Sequence, residues 1–325
     1  MAKKHVAVIM GGYSSEFEIS LGSGGVVCDA LDTDKYNVYP VHILENGWHY
    51  VNASGEKFLI NKADFSFQVG SEIVTPDAVF NAIHGTPGED GYLAAYFELL
   101  KIPHTSSGFY EAALTFNKRD CLSVLKSFGI VCAASYYANK GDNIDLAKII
   151  SEVGLPCFVK PNRAGSSFGI SKVHAIEALL PALEKAFKED SEVIIETALV
   201  GTELSVGAYK RNGEIVVLPP TEIVSENDFF DYEAKYLGKS DEITPARVSE
   251  EIIKMVQKEA KRIYKILNMS GIARGEFILQ NDIPYFLEIN SVPGISAESI
   301  VPKQVKATGM TLTEFFGILI EEALR

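Results

Sequence analysis

An α/β fold of two or three domains is what this sequence predicts, on three observations. Apolar stretches with strand character alternate with stretches of helical spacing from the N-terminus onward. Glycine-rich turns stand where the early strands end. The 325 residues are also more than one ordinary core covers. A hydrophobic fraction of 47% and a charged fraction of 22% are those of a soluble globular protein, and no apolar run reaches the roughly 18 residues of a membrane span.

The elements follow in order. "HVAVIMGG" from His5 is a short apolar strand running into glycines, and "ISLGSGGVVCDAL" behind it has helical spacing. "YNVYPVHI" and "PDAVFNAIHG" are further strands, and "GYLAAYFELL" is a helix with little polar surface. Near "HTSSGFYEAALTFNKRDCLSVLKSFGI" the texture changes to a Ser-Ser-Gly turn and helices, with Asn117 placed to cap the helix that opens at Lys118. "LPCFVKP", the loop "NRAGSSFG" and "ISKV" come next, then the amphipathic helix "AIEALLPALEKAFKED" and the strand "SEVIIETAL". "TELSVGAYK", "RNGE" and "IVVLPP" form a hairpin around a Gly-containing turn. "EEIIKMVQKEAKRIYKIL" is an ordinary packing helix with a mixed-charge outer face. Boundaries near 106 and 196 divide the chain into residues 1–106, 107–196 and 197–325.

Charge and cysteine usage exclude several classes. A formal net charge of -13 argues against nucleic acid or an anionic membrane as partner. The four cysteines, Cys28, Cys121, Cys132 and Cys157, lie far apart with no C-x-x-C pair, so reduced, buried thiols in a cytoplasm are expected. His5, His42, His49, His104 and His174 have no metal-ligand spacing, and Trp48 reads as a packed hairpin residue. A nicotinamide enzyme would carry G-x-G-x-x-G after the first strand, where this chain has "GGYSSEFEIS". In "VKPNRAGSSFG" the lysine, Lys160, precedes the glycines and the loop joins two strands, unlike a Walker loop. Taken alone, that stretch reads equally as a Gly-Ser hairpin or a phosphate lid.

The most informative segment is "GIARGEFILQ" and "IPYFLEIN" around a short "ND" turn. Alternation puts Ala273, Phe277, Leu279, Tyr285, Leu287 and Ile289 on one face, and Arg274, Glu276, Glu288 and Asn290 on the other. Matching the two faces calls for an odd-length connection of about three residues. Two carboxylates and an amide beside an arginine suit Mg2+, which takes one or two carboxylates and completes its shell from substrate phosphates. The alternative is the solvated face of an edge hairpin, and the loop "SVPGISAES" that follows favours a functional site.

Taken together, "GGYSSEFEIS", "HGTPGEDG", Asn117-Lys118, "VKPNRAGSSFGISKV", "YEAKY", "RGEF" and "LEINSVPGISAESIVP" resemble, in order from Gly11 to Pro302, the D-alanine–D-alanine ligases of the ATP-grasp superfamily. The resemblance implies a three-domain ATP-grasp fold with a Rossmann-like (preATP-grasp) N-terminal domain. It implies ATP as co-substrate, two Mg2+ ions that Mn2+ can replace, D-alanine as substrate, and a homodimer built through N-terminal regions. Lys118 and Lys160 match its phosphate-binding lysines, Ser167 lies with them in the loop, and Lys235 matches a lysine reaching the terminal phosphates. Glu196, Leu199 and Glu203 match the adenine and ribose segment; Glu276, Glu288 and Asn290 match the metal ligands. Glu16 matches the residue that takes the first D-alanine's ammonium, and His84 a histidine near the substrates. Arg274 with the Gly294 N–H matches the oxyanion site, and Ser299 with the Ile300 N–H the cradle of the second carboxylate. Glu16, Ser166 and Tyr236 match a hydrogen-bonded trio that latches two loops.

The implied reaction makes an acyl phosphate from one D-alanine and lets the amine of the second attack it. Such chemistry needs charge neutralisation and positioning more than a nucleophilic side chain, consistent with the absence of a Ser-His-Asp or Cys-His pattern. The chain departs from the family at Phe17, where a histidine is usual, at Glu276, where aspartate is usual, and at Ala198, where an aromatic is common. Tyr236 favours the dipeptide product; the alternative is a ligase for another pair, such as D-alanine with D-serine.

Overall fold

The computed structural model describes residues 2–165, 168–225 and 240–325. Three sheets carry the site. The first has five strands in the order Lys57–Leu59, Gly47–Val51, Tyr36–Leu44, Lys4–Gly11, Ala78–Asn81. Lys4–Gly11 runs parallel to both of its neighbours, and the helix Phe17–Ala30 makes the crossover between the first two strands. Val6, Ala7, Val8 and Ile9 are all fully buried, because a parallel strand of this kind is covered on both faces. One face packs on Leu93 and Phe97 of the helix Tyr92–Leu100. The other packs on Phe315 and Phe316 of the helix Leu312–Ala323, from the far end of the chain, with the Phe80 and Phe316 rings 5.4 Å apart. Each such side chain taken out of water contributes about 1.5–3 kcal/mol.

Gly11 and Gly12 turn the chain out of the first strand with φ of +103° and +98°, a region that costs other residues strain. A Cβ on Gly12 would also stand 2.8 Å from Ile83 Cγ2. The turn delivers Glu16 to the strand ends. Trp48 is packed as expected, its Nε1 donating to the Tyr13 hydroxyl at 2.7 Å. The four cysteines are free, Cys121 and Cys157 buried and the other two half-buried.

The second sheet is antiparallel, in the order Ser171–Val173, Cys157–Pro161, Glu192–Thr197, Ser135–Asn139. The helices Leu146–Val153 and Leu179–Ala186 pack on it through Ile149, Val153, Leu179 and Leu183. The third sheet runs Ser240–Ile243, Thr221–Ser225, Thr202–Arg211, Ala273–Gln280, Ile283–Asn290, with Glu214–Val217 also pairing Thr202–Arg211. The helix Glu250–Ile266 covers it, capped by Ser249, and so does Lys118–Ser127 through Cys121, Leu122 and Leu125. Asn117 caps that second helix as expected, accepting from Asp120 N at 3.0 Å.

The hairpin corrects the sequence reading in two respects. Its connection is the two-residue turn Asn281–Asp282, φ +51° and +60°, the type whose twist suits the flanking strands. Parity is restored by a bulge, with Phe277 opposite Phe286 but Glu276 opposite Glu288, which leaves Leu287 as the extra residue. Phe286 therefore fills the core beside Phe277, ring centroids 5.7 Å apart, whereas Tyr285 and Leu287 are only half-buried. The polar pairing survives, with Glu276 facing Glu288 and Arg274 facing Asn290. Among the described residues no helix is long and apolar enough to cross a membrane.

Candidate active site

A cleft of about 330 Å³ opens at these strand ends. The first sheet's end supplies Glu16 and His84, and the helix Lys118–Ser127 supplies Lys118. The hairpin contributes Arg274, Glu288 and Asn290, and the loop after it Gly294, Ser299 and Ile300. Nine residues singled out from the sequence thus line one cleft. Lys160 and Glu196 stand on strands of the second sheet, Leu199 is half-buried in the segment leading into Thr202–Arg211, and Glu203 is half-buried within that strand. Ser166, Ser167, Lys235 and Tyr236 lie outside the described residues.

Charge is held tightly here. Arg274 Nη2 lies 2.6 Å from Glu276 Oε1, and Asn290 Nδ2 reaches the same oxygen at 3.5 Å. Burial alone would lower the Arg274 pKa, but the Glu276 charge and hydrogen bond outweigh it and hold the guanidinium above its usual value. Among the described residues Arg274 Nε is buried without a partner. Lys118 Nζ donates to Ala164 O at 2.8 Å and sits 3.4 Å from Glu288 Oε2. Lys160 Nζ is 2.9 Å from Glu196 Oε2, a carboxylate only 4% exposed. Burial again pulls the lysine's pKa down, and Glu196 with Glu288 raises it above its usual value.

His84 is buried and fully engaged. Nδ1 lies 2.9 Å from the Val292 carbonyl and Nε2 3.1 Å from Ser23 Oγ. A carbonyl only accepts, so Nδ1 carries the proton and the Ser23 hydroxyl donates to Nε2. Burial lowers the His84 pKa, with Glu16 opposing, and the neutral ring ties the first sheet to the loop beyond the hairpin. Gly165 packs on Glu16: a Cβ there would stand 2.7 Å from Glu16 Oε2. A Cβ on Gly294 would meet Ser299 Oγ at 3.0 Å, so both glycines allow main chain to approach the cleft.

Sequence reasoning missed three acids in the cleft lining, Glu89, Glu242 and Glu298. Glu89, in "HGTPGEDG", accepts from Gly85 N at 3.0 Å, and burial followed by the Glu16 charge pushes its carboxyl up to about 7. Glu242 pairs with Lys303 at 3.1 Å. The motif was visible, but the nearness of Glu16 to Glu89 is a tertiary fact. Of the departures, Phe17 is 41% exposed at the start of its helix and Ala198 is buried.

Glu276, Glu288 and Asn290 put hard oxygen donors on neighbouring hairpin positions, a set that fits Mg2+. Among the described residues no group of three or more His, Cys, Asp or Glu is arranged to hold a metal by itself. A cation held at this hairpin would take its remaining ligands from substrate oxygens and water.

Comparison with known proteins gives concordant matches. Residues 5–107 match the family model described as D-ala D-ala ligase N-terminus, and residues 124–321 match D-ala D-ala ligase C-terminus. A D-alanine–D-alanine ligase of Flavobacterium johnsoniae is 58% identical over 322 residues, 99% of each chain. Among solved structures, the VanG D-Ala:D-Ser ligase of Enterococcus faecalis is similar with a TM-score of 0.89 at 31% identity, covering 99% of this chain and all of that one. The D-alanine–D-alanine ligase of Bacillus anthracis complexed with ATP has a TM-score of 0.80 at 27% identity, covering 99% and 98%.

Proposed function

Because the chain belongs to the D-alanine–D-alanine ligase family, we propose that it joins two D-alanines into D-alanyl-D-alanine, a peptidoglycan precursor, with cleavage of ATP to ADP and phosphate. Its fold is the α/β ATP-grasp fold that the resemblance implies, and it is an ATP-dependent ligase. The observation that carries the residue-level reading is the single cleft that gathers Glu16, Arg274, Gly294 and Ser299 beside the Lys118–Glu288 pair.

The roles follow from the chemistry of each group. Glu16 holds the first D-alanine's ammonium, leaving its carboxylate toward the cationic side of the cleft. Lys118 and Lys160, with Lys235 and Ser167, hold the phosphates while a carboxylate oxygen attacks the terminal phosphorus and ADP leaves. Two Mg2+ ions held by Glu276, Glu288 and Asn290 supply charge neutralisation for the phosphates when bound, and Mn2+ shares that preference for hard oxygens. Glu196, Leu199 and Glu203 seat the nucleotide. Ser299 and the Ile300 N–H take the second D-alanine's carboxylate, which aims its amine at the acyl carbon. The tetrahedral oxyanion then meets Arg274 and the Gly294 N–H, donors worth about 3–4 kcal/mol each in such sites. His84 fixes the strand end that carries this loop. Ser166 and Tyr236 with Glu16 latch loops over the acyl phosphate, which hydrolyses if water enters.

The test is product identity. With Mg2+, ATP and D-alanine, ADP and phosphate are expected together with D-alanyl-D-alanine; ADP release indifferent to D-alanine, or equal use of L-alanine, would refute the reading. Preference for D-serine as second substrate would favour the alternative ligase. We also propose three domains at residues 1–106, 107–196 and 197–325, each sheet falling within or at the edge of one segment. A cytoplasmic homodimer is proposed on the resemblance, and a monomeric mass in sedimentation would exclude the dimer.

A further inference from the structure

The strand Thr202–Arg211 has a gap along one edge. It pairs Ala273–Gln280 continuously on one side, from Thr202 opposite Leu279 to Ala208 opposite Ala273. On the other side it pairs Thr221–Ser225 only through Glu203–Ser205, and Glu214–Val217 only through Ala208–Arg211. Between those two partners the chain crosses through Pro219 and Pro220, which have no N–H to give a ladder. Leu218 N still reaches Gly207 O at 2.8 Å and Ala246 N reaches Pro220 O at 2.8 Å, but Ser205 O and Gly207 N would be buried and unpaired at the crossing, at substantial cost.

Gln257 Nε2 donates to Leu218 O at 3.1 Å on the crossing itself, and a second side chain serves the facing strand. Gln304, on the helix Ile300–Ala307, is 0% exposed. Its Nε2 donates to Ser205 O at 2.8 Å and to Thr221 Oγ1 at 3.1 Å, and its Oε1 accepts from Gly207 N at 3.0 Å. The amide orientation follows, since the reverse would set two donors against the Gly207 N–H. Gly207 suits this contact by having no side chain: a Cβ would stand 2.8 Å from Gln304 Oε1.

Two registers give the clamp its meaning. Ser205 lies opposite Glu276 and Gly207 opposite Arg274. Gln304 lies about one helical turn beyond Ile300, at the start of the same helix. The amide therefore joins the helix start to the strand positions that back the metal-ligand and oxyanion residues.

We propose that Gln304 is a positioning residue for the second substrate, setting the distance between the Ser299–Ile300 carboxylate seat and Arg274. This rests on the reading of Ser299 and the Ile300 N–H given above. Without the clamp the helix start drifts from Arg274, and the amine is held off its line of attack. The constant that changes is that of the second D-alanine, while ATP and the first D-alanine are held by other elements.

The experiment compares wild type, Ser299→Ala, Gln304→Met and Gln304→Glu by ADP release against D-alanine and ATP, with Tm recorded for each. Gln304→Met is expected to raise the second-site KM about tenfold, the scale of lost buried hydrogen bonds, with ATP KM and first-site KM within about twofold. Gln304→Glu keeps the acceptor for Gly207 and loses the donor to Ser205 O; its defect should shrink as pH falls and the carboxyl regains a proton. It carries the same test if Gln304→Met does not fold. A wild-type second-site KM in the Gln304 variants overturns the proposal, as does a joint shift of all three constants with Tm. If Ser299→Ala leaves the second-site KM unchanged, the carboxylate seat is wrong and the proposal falls with it; if Ser299→Ala raises it and the Gln304 variants do not, the proposal alone falls.

Discussion

Arg274 and Glu276 stand on the same face of one strand with Nη2 and Oε1 2.6 Å apart. The pair holds the guanidinium toward the cleft, where it needs no reorganisation when negative charge develops. Arg274→Ala is expected to lower kcat on the order of 100- to 1000-fold while ATP KM changes little. Single-turnover ADP formation separates the two steps: a loss confined to ATP binding would remove Arg274 from the oxyanion role.

Glu288, a proposed metal ligand, pairs with Lys118 at 3.4 Å. Glu288→Gln should raise the Mg2+ concentration for half-maximal ADP release about tenfold or more, the equivalent of one charged contact at about 1.5–3 kcal/mol. Full turnover at limiting Mg2+ would sink the metal assignment.

The Lys160–Glu196 pair, proposed above to contact the nucleotide, is also expected to be a stability element. Glu196→Gln leaves the Lys160 ammonium buried with its nearest counter-charge, 2.9 Å away, removed. Loss of one partner of such a pair costs about 3–5 kcal/mol, measurable as a lower urea midpoint. Adding Lys160→Met should recover part of that loss, and no recovery would mean the pair is not the cause.

Glu89 gives a pH prediction with a definite sign. Its carboxyl rises from 4.5 to about 7, by burial first and the Glu16 charge second. The folded chain holds this proton more tightly than the unfolded chain, so the stabilisation is full below pH 4.5 and is lost as pH climbs to about 7. Glu89→Gln, neutral throughout, should gain stability over wild type across that window, on the order of 1–3 kcal/mol. Unfolding curves whose difference stays flat with pH would contradict the shift.

Much of the site was legible because its chemistry sits on short segments with local patterns. Alternation exposed the polar face of the hairpin, and Asn117 announced its helix as a cap. The failures share a cause. The type of turn at Asn281–Asp282 and the bulge at Leu287 trade parity between them, so counting residues predicts the faces near the strand ends and misassigns Tyr285 and Phe286 between. Glu89 takes its character from Glu16, far away in sequence. Nothing in its own segment marks Gln304; only the break at Pro219–Pro220 in another segment gives it work. The apolar spacing within Leu312–Ala323 says nothing of which sheet that helix meets.

That last contact ties the order of synthesis to the order of folding. The strand Lys4–Gly11 leaves the ribosome early, yet the surface it shares with Phe80 meets Phe316 only after the other two sheets have been made. Until then Phe80 lacks its ring partner, while Val27 and Leu31 from the first helix already share the cluster with Val6 and Val8, so the N-terminal region depends in part on its own far end. A chain stopped before Leu312 should bind an apolar dye and aggregate, and native-like solubility in that fragment would show the sheet to be self-sufficient. Full burial of the N-terminal sheet, in this protein, waits on the helix Leu312–Ala323.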